Sequence, residues 1–168
     1  EASESPALFG DPGIHVMGRM AGLVSSGRLR EGSELMSFVY DLTVGRPDRQ
    51  ARAWITMFWG QCDVLRGQLE DAVRHALESE LLWIDGGMTG PARWSAAAAT
   101  LGQVQLGLLD TAAESLDRLD AYPAEPFTFG DPIAHRARAW VRASAGDRGE
   151  AHDGLAAAAS CEEFCETC

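Results

Sequence analysis

An all-α fold, built from about four antiparallel helical hairpins, is what this sequence predicts. Three observations predict it: a glycine recurring at a near-constant interval, apolar residues at helical spacing on both sides of it, and no alternating strand pattern. Gly27, Gly67, Gly107 and Gly146 stand 40, 40 and 39 residues apart. Other columns keep the same register. Two residues after each glycine stand Leu29, Leu69, Leu109 and Arg148, and five after it stand Gly32, Ala72, Ala112 and Ala151. Three before it stand Val24, Val64, Val104 and Ala143, and thirteen before it stand Ile14, Trp54, Trp94 and Ile133. One matched glycine is chance, whereas several columns in register define a repeat unit.

Each unit reads as helix, tight turn, helix. The glycine closes the first helix because it enters the left-handed conformation with no Cβ penalty. The small residue five positions on lets the second helix approach the first. First helices are expected near 12–26, 48–66, 92–106 and 132–145, and second helices near 28–42, 68–84, 108–121 and 148–160. Asp11-Pro12 and Asp131-Pro132 each offer a capping Asp followed by Pro at the first helical position. Thr43 to Asp48, Asp85 to Pro91 and Pro123 to Gly130 are rich in Gly and Pro and read as loops between units. Residues 1–160 then form one repeat domain, and residues 161–168 a short cysteine-bearing tail.

Composition narrows the functions. Fourteen arginines, no lysine and 25 acidic residues give a net charge of −11. Such a surface repels phosphate backbones, so no direct nucleic-acid partner is expected. No apolar run reaches the roughly 18–20 residues of a membrane span, so no membrane partner is expected either. Glu1 to Pro6 has neither the basic nor the apolar region of a secretory signal, which points to a reducing cytoplasm. The abundance of Ala, Gly and Arg fits a GC-rich bacterial genome. The chain opens without Met, which points to a segment of a longer protein.

The glycine, leucine and alanine columns resemble tetratricopeptide (TPR) repeats. The 40-residue period is similar to the longer repeats of maltose-regulator-type (MalT-like) activators, which belong to the large ATP-binding LuxR-family transcriptional regulators. The resemblance covers Asp11 to Ala159 and implies a right-handed solenoid that senses an inducer or a regulatory protein. In that family the array lies between an ATPase and a helix-turn-helix. Neither is found here: a phosphate-binding loop of the G-x-x-x-x-G-K-[ST] type needs a lysine, and no basic recognition helix is present.

The columns eleven, eight and four before the glycine are more polar. They hold Thr56 and His135; then Arg19, Trp59 and Arg138; then Asp63, Gln103 and Arg142. Equivalent columns lie side by side in a solenoid, so Arg19, Trp59, Asp63, Gln103, His135, Arg138 and Arg142 are the candidate groove for a protein segment or a small-molecule inducer. Arginines at both ends of that groove suit an acidic peptide or a carboxylate. On one helix, Arg52, Thr56, Trp59, Asp63 and Arg66 share a face. Trp59 is the odd member, either a binding aromatic or a cap on the core edge.

Other constellations are weaker. Cys62 reads as a small core residue. Cys161, Cys165 and Cys168 have the spacing with which three thiolates hold three irons of a four-iron cluster in radical S-adenosylmethionine enzymes, and as i, i+4, i+7 on one helix face they could also bind zinc with a fourth ligand. The surrounding Glu162, Glu163 and Glu166 disfavour thiolates, and a strandless chain lacks the barrel of such enzymes. A disulfide or free tail thiols is the simpler reading. His15, His75, His135 and His152 lie scattered, Glu70, Asp71, Glu78 and Glu80 read as a solvated face, and no serine sits in a nucleophile elbow. The expectation is a sensing or interaction module with no catalytic residue, no metal and no cofactor. The alternatives are a self-standing adaptor or, more distantly, a metal- or cluster-carrying enzyme fragment.

Overall fold

The computed structural model describes residues 12–44, 48–123 and 131–166, with the side chains of Pro12, Ile14 and residues 161–166 left aside. The described residues form eight helices and no strand: α1 (Pro12–Ser25), α2 (Leu29–Thr43), α3 (Arg49–Arg66), α4 (Leu69–Asp85), α5 (Thr89–Gln105), α6 (Leu109–Ala121), α7 (Asp131–Ser144) and α8 (Arg148–Glu166). None of these is long and apolar enough to cross a membrane.

The turns follow from the glycine column. Gly27, Gly67, Gly107 and Gly146 have φ of 71°, 73°, 77° and 88°, which a side chain resists. At Gly67 the amide donates to the Val64 carbonyl at 3.1 Å, and the next amide, of Gln68, donates to the Asp63 carbonyl at 2.9 Å. The same two bonds recur at the other three glycines, so orphan carbonyls at each first-helix end are satisfied. A fifth left-handed glycine, Gly87 at φ 72°, closes α4 onto α5. The loop expected over Asp85 to Pro91 is shorter than predicted, because α5 begins at Thr89 and absorbs Pro91 in its first turn. A proline is harmless there, since the first amides of a helix have no partner within it.

Each helix packs on the next, and each first helix also leans on the first helix of the following unit, as α1·α3, α3·α5 and α5·α7. The small-residue column serves this packing: Gly32, Ala72, Ala112 and Ala151 are all buried. Of the column thirteen before the glycine, Trp94 is buried, Trp54 and Ile133 are half-buried, and the Ile14 side chain lies outside the described residues.

The core changes character along the chain. Between α1, α2 and α3 it is built of Met20, Met36, Met57, Phe58 and Cys62, reaching Trp94 of α5. Further on it rests on Ala96, Ala97, Leu101, Ala112, Leu119, Ala134 and Ala137. In α5 thirteen of seventeen residues are buried, so this helix is enclosed rather than set along an open face. Its alanines allow that enclosure, and Gly102 shows how tight it is: a Cβ there would stand 2.8 Å from Val73 Cγ2.

Asp48 caps α3, its carboxylate accepting the Ala51 amide at 2.9 Å. Asp11, the other expected cap in the first unit, lies outside the described residues. Asp131 is itself the first residue of α7, and its carboxylate pairs with Arg93 of α5, tying two helices together.

Candidate functional site

The seven residues expected to share one groove are divided by the packing. Arg19 is exposed on α1. Asp63 and Gln103 are only 1% and 2% exposed, so they line no open surface. The reason is local. Asp63, four residues before Gly67, faces His75 across the turn, and its Oδ2 stands 3.0 Å from His75 Nδ1. Gln103 belongs to the enclosed α5, and its Oε1 is buried without a hydrogen bond. Trp59 is half-buried above the pair, its ring stacked on the His75 imidazole at 4.1 Å and 20°. Tyr40 of α2 meets the same indole edge-on at 5.7 Å.

On α7, His135, Arg138 and Arg142 follow one another along the helix; His135 is half-buried and the two arginines are already engaged. Burial, with Arg138 beside it, lowers the His135 imidazole below its ordinary pKa, against the pull of Asp131. Arg138 donates from Nε and Nη2 to Asp120 Oδ1 of α6, at 2.8 and 2.6 Å. Arg142 Nε stands 3.1 Å from Glu150 Oε2 of α8. The two arginines expected to attract a carboxylate therefore hold carboxylates of this chain.

Of the helix face Arg52, Thr56, Trp59, Asp63 and Arg66, the ends reach solvent, Thr56 and Asp63 do not, and Trp59 is half-buried. Thr56 is fully buried, bonding back to the carbonyls of Arg52 and Ala53. Ser79 donates to the Ala53 carbonyl at 2.8 Å, and Ser95 donates to Ser79 Oγ at 2.9 Å, so the buried hydroxyls between α3, α4 and α5 satisfy one another and the backbone.

Two features near this seam are not foreseen by the sequence. The carboxylates of α4, expected on a solvated face, are partly structural. Glu78 takes Arg52 of α3 and the Tyr40 hydroxyl of α2, and Arg52 also donates to that hydroxyl at 2.7 Å. Glu80, 5% exposed, accepts the Tyr122 hydroxyl at 2.8 Å and a longer contact from Arg118 of α6. One helix thus ties the second helices on both sides. Burial first, then the neighbouring carboxylate, raises both tyrosine pKa values.

The other feature is an open double hollow beside the α3 start and the α4 end. Asp48, Arg49, Leu82 and Asp85 line both parts, and the Arg49–Asp85 ion pair stands between them. The smaller part, about 330 Å³, continues to Gln50, Trp83 and Met88. The larger, about 860 Å³, runs past Arg52 to Leu81 and Ile84. Leu81 is 71% exposed and Ile84 46%. Val44, one turn beyond Tyr40 at the α2 end, is 60% exposed.

Among the described residues no group of three or more His, Cys, Asp or Glu could hold a metal. The side chains of Cys161, Cys165 and Cys168 lie outside those residues. Cys62 is buried, its thiol donating to the Leu29 carbonyl at 3.2 Å.

No family model matches the chain, and neither does any curated protein or solved structure.

Proposed function

We propose that the chain is a TPR-like right-handed solenoid of about four helical hairpins, working as a binding module for a protein segment. The solenoid reading is supported by repeated glycine turns in one register and by first helices that lean on one another in order along the chain. The binding reading is carried by a single observation, the double hollow at Arg49–Asp85 with Leu81 and Ile84 left exposed on its wall. Isolated exposed leucines are ordinary, but apolar side chains gathered at a concave, charge-bearing rim mark contact sites.

The repeat columns also support a wider reading, in which this stack is the sensing region of a MalT-like bacterial regulator. That reading expects a phosphate-binding loop upstream, or a helix-turn-helix downstream, in the full reading frame.

The module reading is tested by titrating the chain into three fluorescent amphipathic peptides. They share one apolar pattern and carry cationic, neutral or anionic polar faces. Saturable binding of at least one, weakened by Leu81→Glu, supports it. Three flat titrations with folded protein overturn it.

A further inference from the structure

Each second helix carries, nine residues after its repeat glycine, a side chain that meets the following unit. The position holds Met36, Ala76, Leu116 and Leu155. The first three are buried, and each shares a core cluster with the residue nine before the next glycine: Met36 with Phe58 of α3, Ala76 with Ala98 of α5, Leu116 with Ala137 of α7. Leu155 breaks the series at 49% exposed. On the first helices, the position six before the glycine holds Ala21, Gln61, Leu101 and Trp140. Ala21 and Gln61 are half-buried and Leu101 is buried in the cluster of Ala137, whereas Trp140 is 47% exposed.

Trp140 and Leu155 belong to one surface. Their sequence neighbours Ala139 and Gly154 meet across the α7–α8 hairpin, where a Cβ on Gly154 would stand 3.1 Å from Ala139 Cβ. Their counterparts one unit earlier, Leu101 and Leu116, lie in a single core cluster. Isolated exposed apolar residues are ordinary, but these two occupy positions that the fold elsewhere covers. A repeat that caps a stack carries a polar outer face, and this one presents an indole and a leucine. At the other end, α1 shows the matching face. Its positions nine and five before the glycine are Gly18 and Gly22. Both are exposed, and a Cβ at either would meet nothing within 4 Å. In later units the same two positions face the preceding second helix, as Ala98 meets Ala76 and Gly102 abuts Val73.

We propose that the chain associates head to tail with a second copy, the Gly18–Gly22 face of α1 seating on Trp140 and Leu155 as α7 seats on Leu101 and Leu116. The packing within the chain selects this occupant. Three times over, the residue nine after one glycine is covered by the residue nine before the next. Leu155 lacks that cover among the described residues, and Gly18 is the corresponding residue with nothing to cover. Two glycines one turn apart also let a bulky indole approach the α1 backbone closely. Each copy in a pair keeps one unused end, so the contact is heterologous and open-ended. It uses none of the residues that line the Arg49–Asp85 hollow, so it stands or falls apart from the module reading.

The test is the mass of the full chain in solution, by sedimentation equilibrium, over a concentration series reaching about 1 mM. The average mass should rise with concentration without levelling at a dimer. It should rise more steeply as salt increases, because copies carrying −11 each repel and salt screens that repulsion. Gly18→Gln with Gly22→Gln fills the α1 face, and Trp140→Gln with Leu155→Gln removes the other face. Each double variant alone should stay monomeric. Mixed in equal amounts they should form a dimer and go no further, since each supplies the end that the other lacks. Glutamine at positions 18 and 22 enters open space and favours the helix, so that variant should melt no lower than the parent chain. A parent chain that stays monomeric at every concentration and salt overturns the proposal. A dimer that survives Gly18→Gln with Gly22→Gln would pair two Trp140 ends with each other, which also overturns it. So does a mixture of the two variants that remains monomeric.

Discussion

Asp63 Oδ2 lies 3.0 Å from His75 Nδ1 across the α3–α4 turn, with both side chains almost wholly enclosed and Trp59 stacked over the imidazole. The other carboxylate oxygen of Asp63 has no hydrogen bond, and Arg66 approaches it at 3.5 Å. A buried carboxylate so dependent on one neighbour is sensitive to its loss. His75→Ala should cost about 3–5 kcal/mol, the range for breaking a buried pair on one side. His75→Ala with Asp63→Ala together should cost less than the sum of the single changes. Urea unfolding of the four proteins measures this coupling, and strictly additive losses would argue against the pair.

Trp59 is half-buried between His75 and Tyr40, so its role in folding can be separated from any role in binding. Trp59→Ala should destabilise by about 2 kcal/mol, less than the roughly 3–5 of a fully enclosed aromatic. It should leave binding at the Arg49–Asp85 hollow nearly unchanged. A loss under about 0.5 kcal/mol, the level of ordinary surface changes, would mean that the stack contributes little.

Glu80 depends on the Tyr122 hydroxyl in the same way as Asp63 depends on His75, but at a site between α4 and α6. Tyr122→Phe removes only that donor. The expected cost is about 1–3 kcal/mol, since a carboxylate 5% exposed is left with the longer Arg118 contact. Glu80→Gln should recover part of it in the Phe background. Thermal melts of the three variants decide the matter.

Cys62 is held as a thiol, its pKa pushed up to about 11 by burial first and by Asp63 next. The folded state therefore disfavours the thiolate. Its contribution to stability is full below the unfolded thiol's pKa of about 8.5 and is lost as pH rises towards 11. Site-resolved alkylation at pH 8 should leave Cys62 untouched until denaturant unfolds the chain. Rapid labelling of the native protein would contradict the enclosed position.

Gly102 marks a tight helix approach, since a Cβ at that position would meet Val73 Cγ2 at 2.8 Å. Gly102→Ala should destabilise by about 1–3 kcal/mol through overpacking. Val73→Ala should relieve most of that loss in the double variant. Failure of the second change to compensate would place the strain elsewhere.

Much of the helical order was legible because it rests on backbone rules. Only glycine readily accepts φ near the 71–88° seen at the four repeat turns, so those positions stand out in the sequence. Ala72 and Ala112 were readable as close-approach positions for a similar steric reason. The polar column was less legible. A polar residue on a helical wheel signals either solvent or a partner across a turn, and nothing in the wheel separates the two. Asp63 and Gln103, expected in a groove, lie inside. The alanine run of α5 carries no amphipathic signal, so its enclosure could not be read from periodicity. His75 looks isolated in the sequence: Asp63 stands four residues before Gly67 and His75 eight after it, so only the closed hairpin brings them together.

If the partner docks at the Arg49–Asp85 hollow, Arg19, Arg138 and Arg142 of the polar column should stay silent when it binds. Backbone amide NMR of the labelled chain during addition of the amphipathic peptides distinguishes the two surfaces in one titration. Saturable shifts centred on Arg49, Leu81, Ile84 and Asp85 are expected, with the amides of Arg19, Arg138 and Arg142 unmoved. Shifts centred on those three arginines, with Leu81 and Ile84 silent, would put the partner in the first-helix column and refute docking at the hollow.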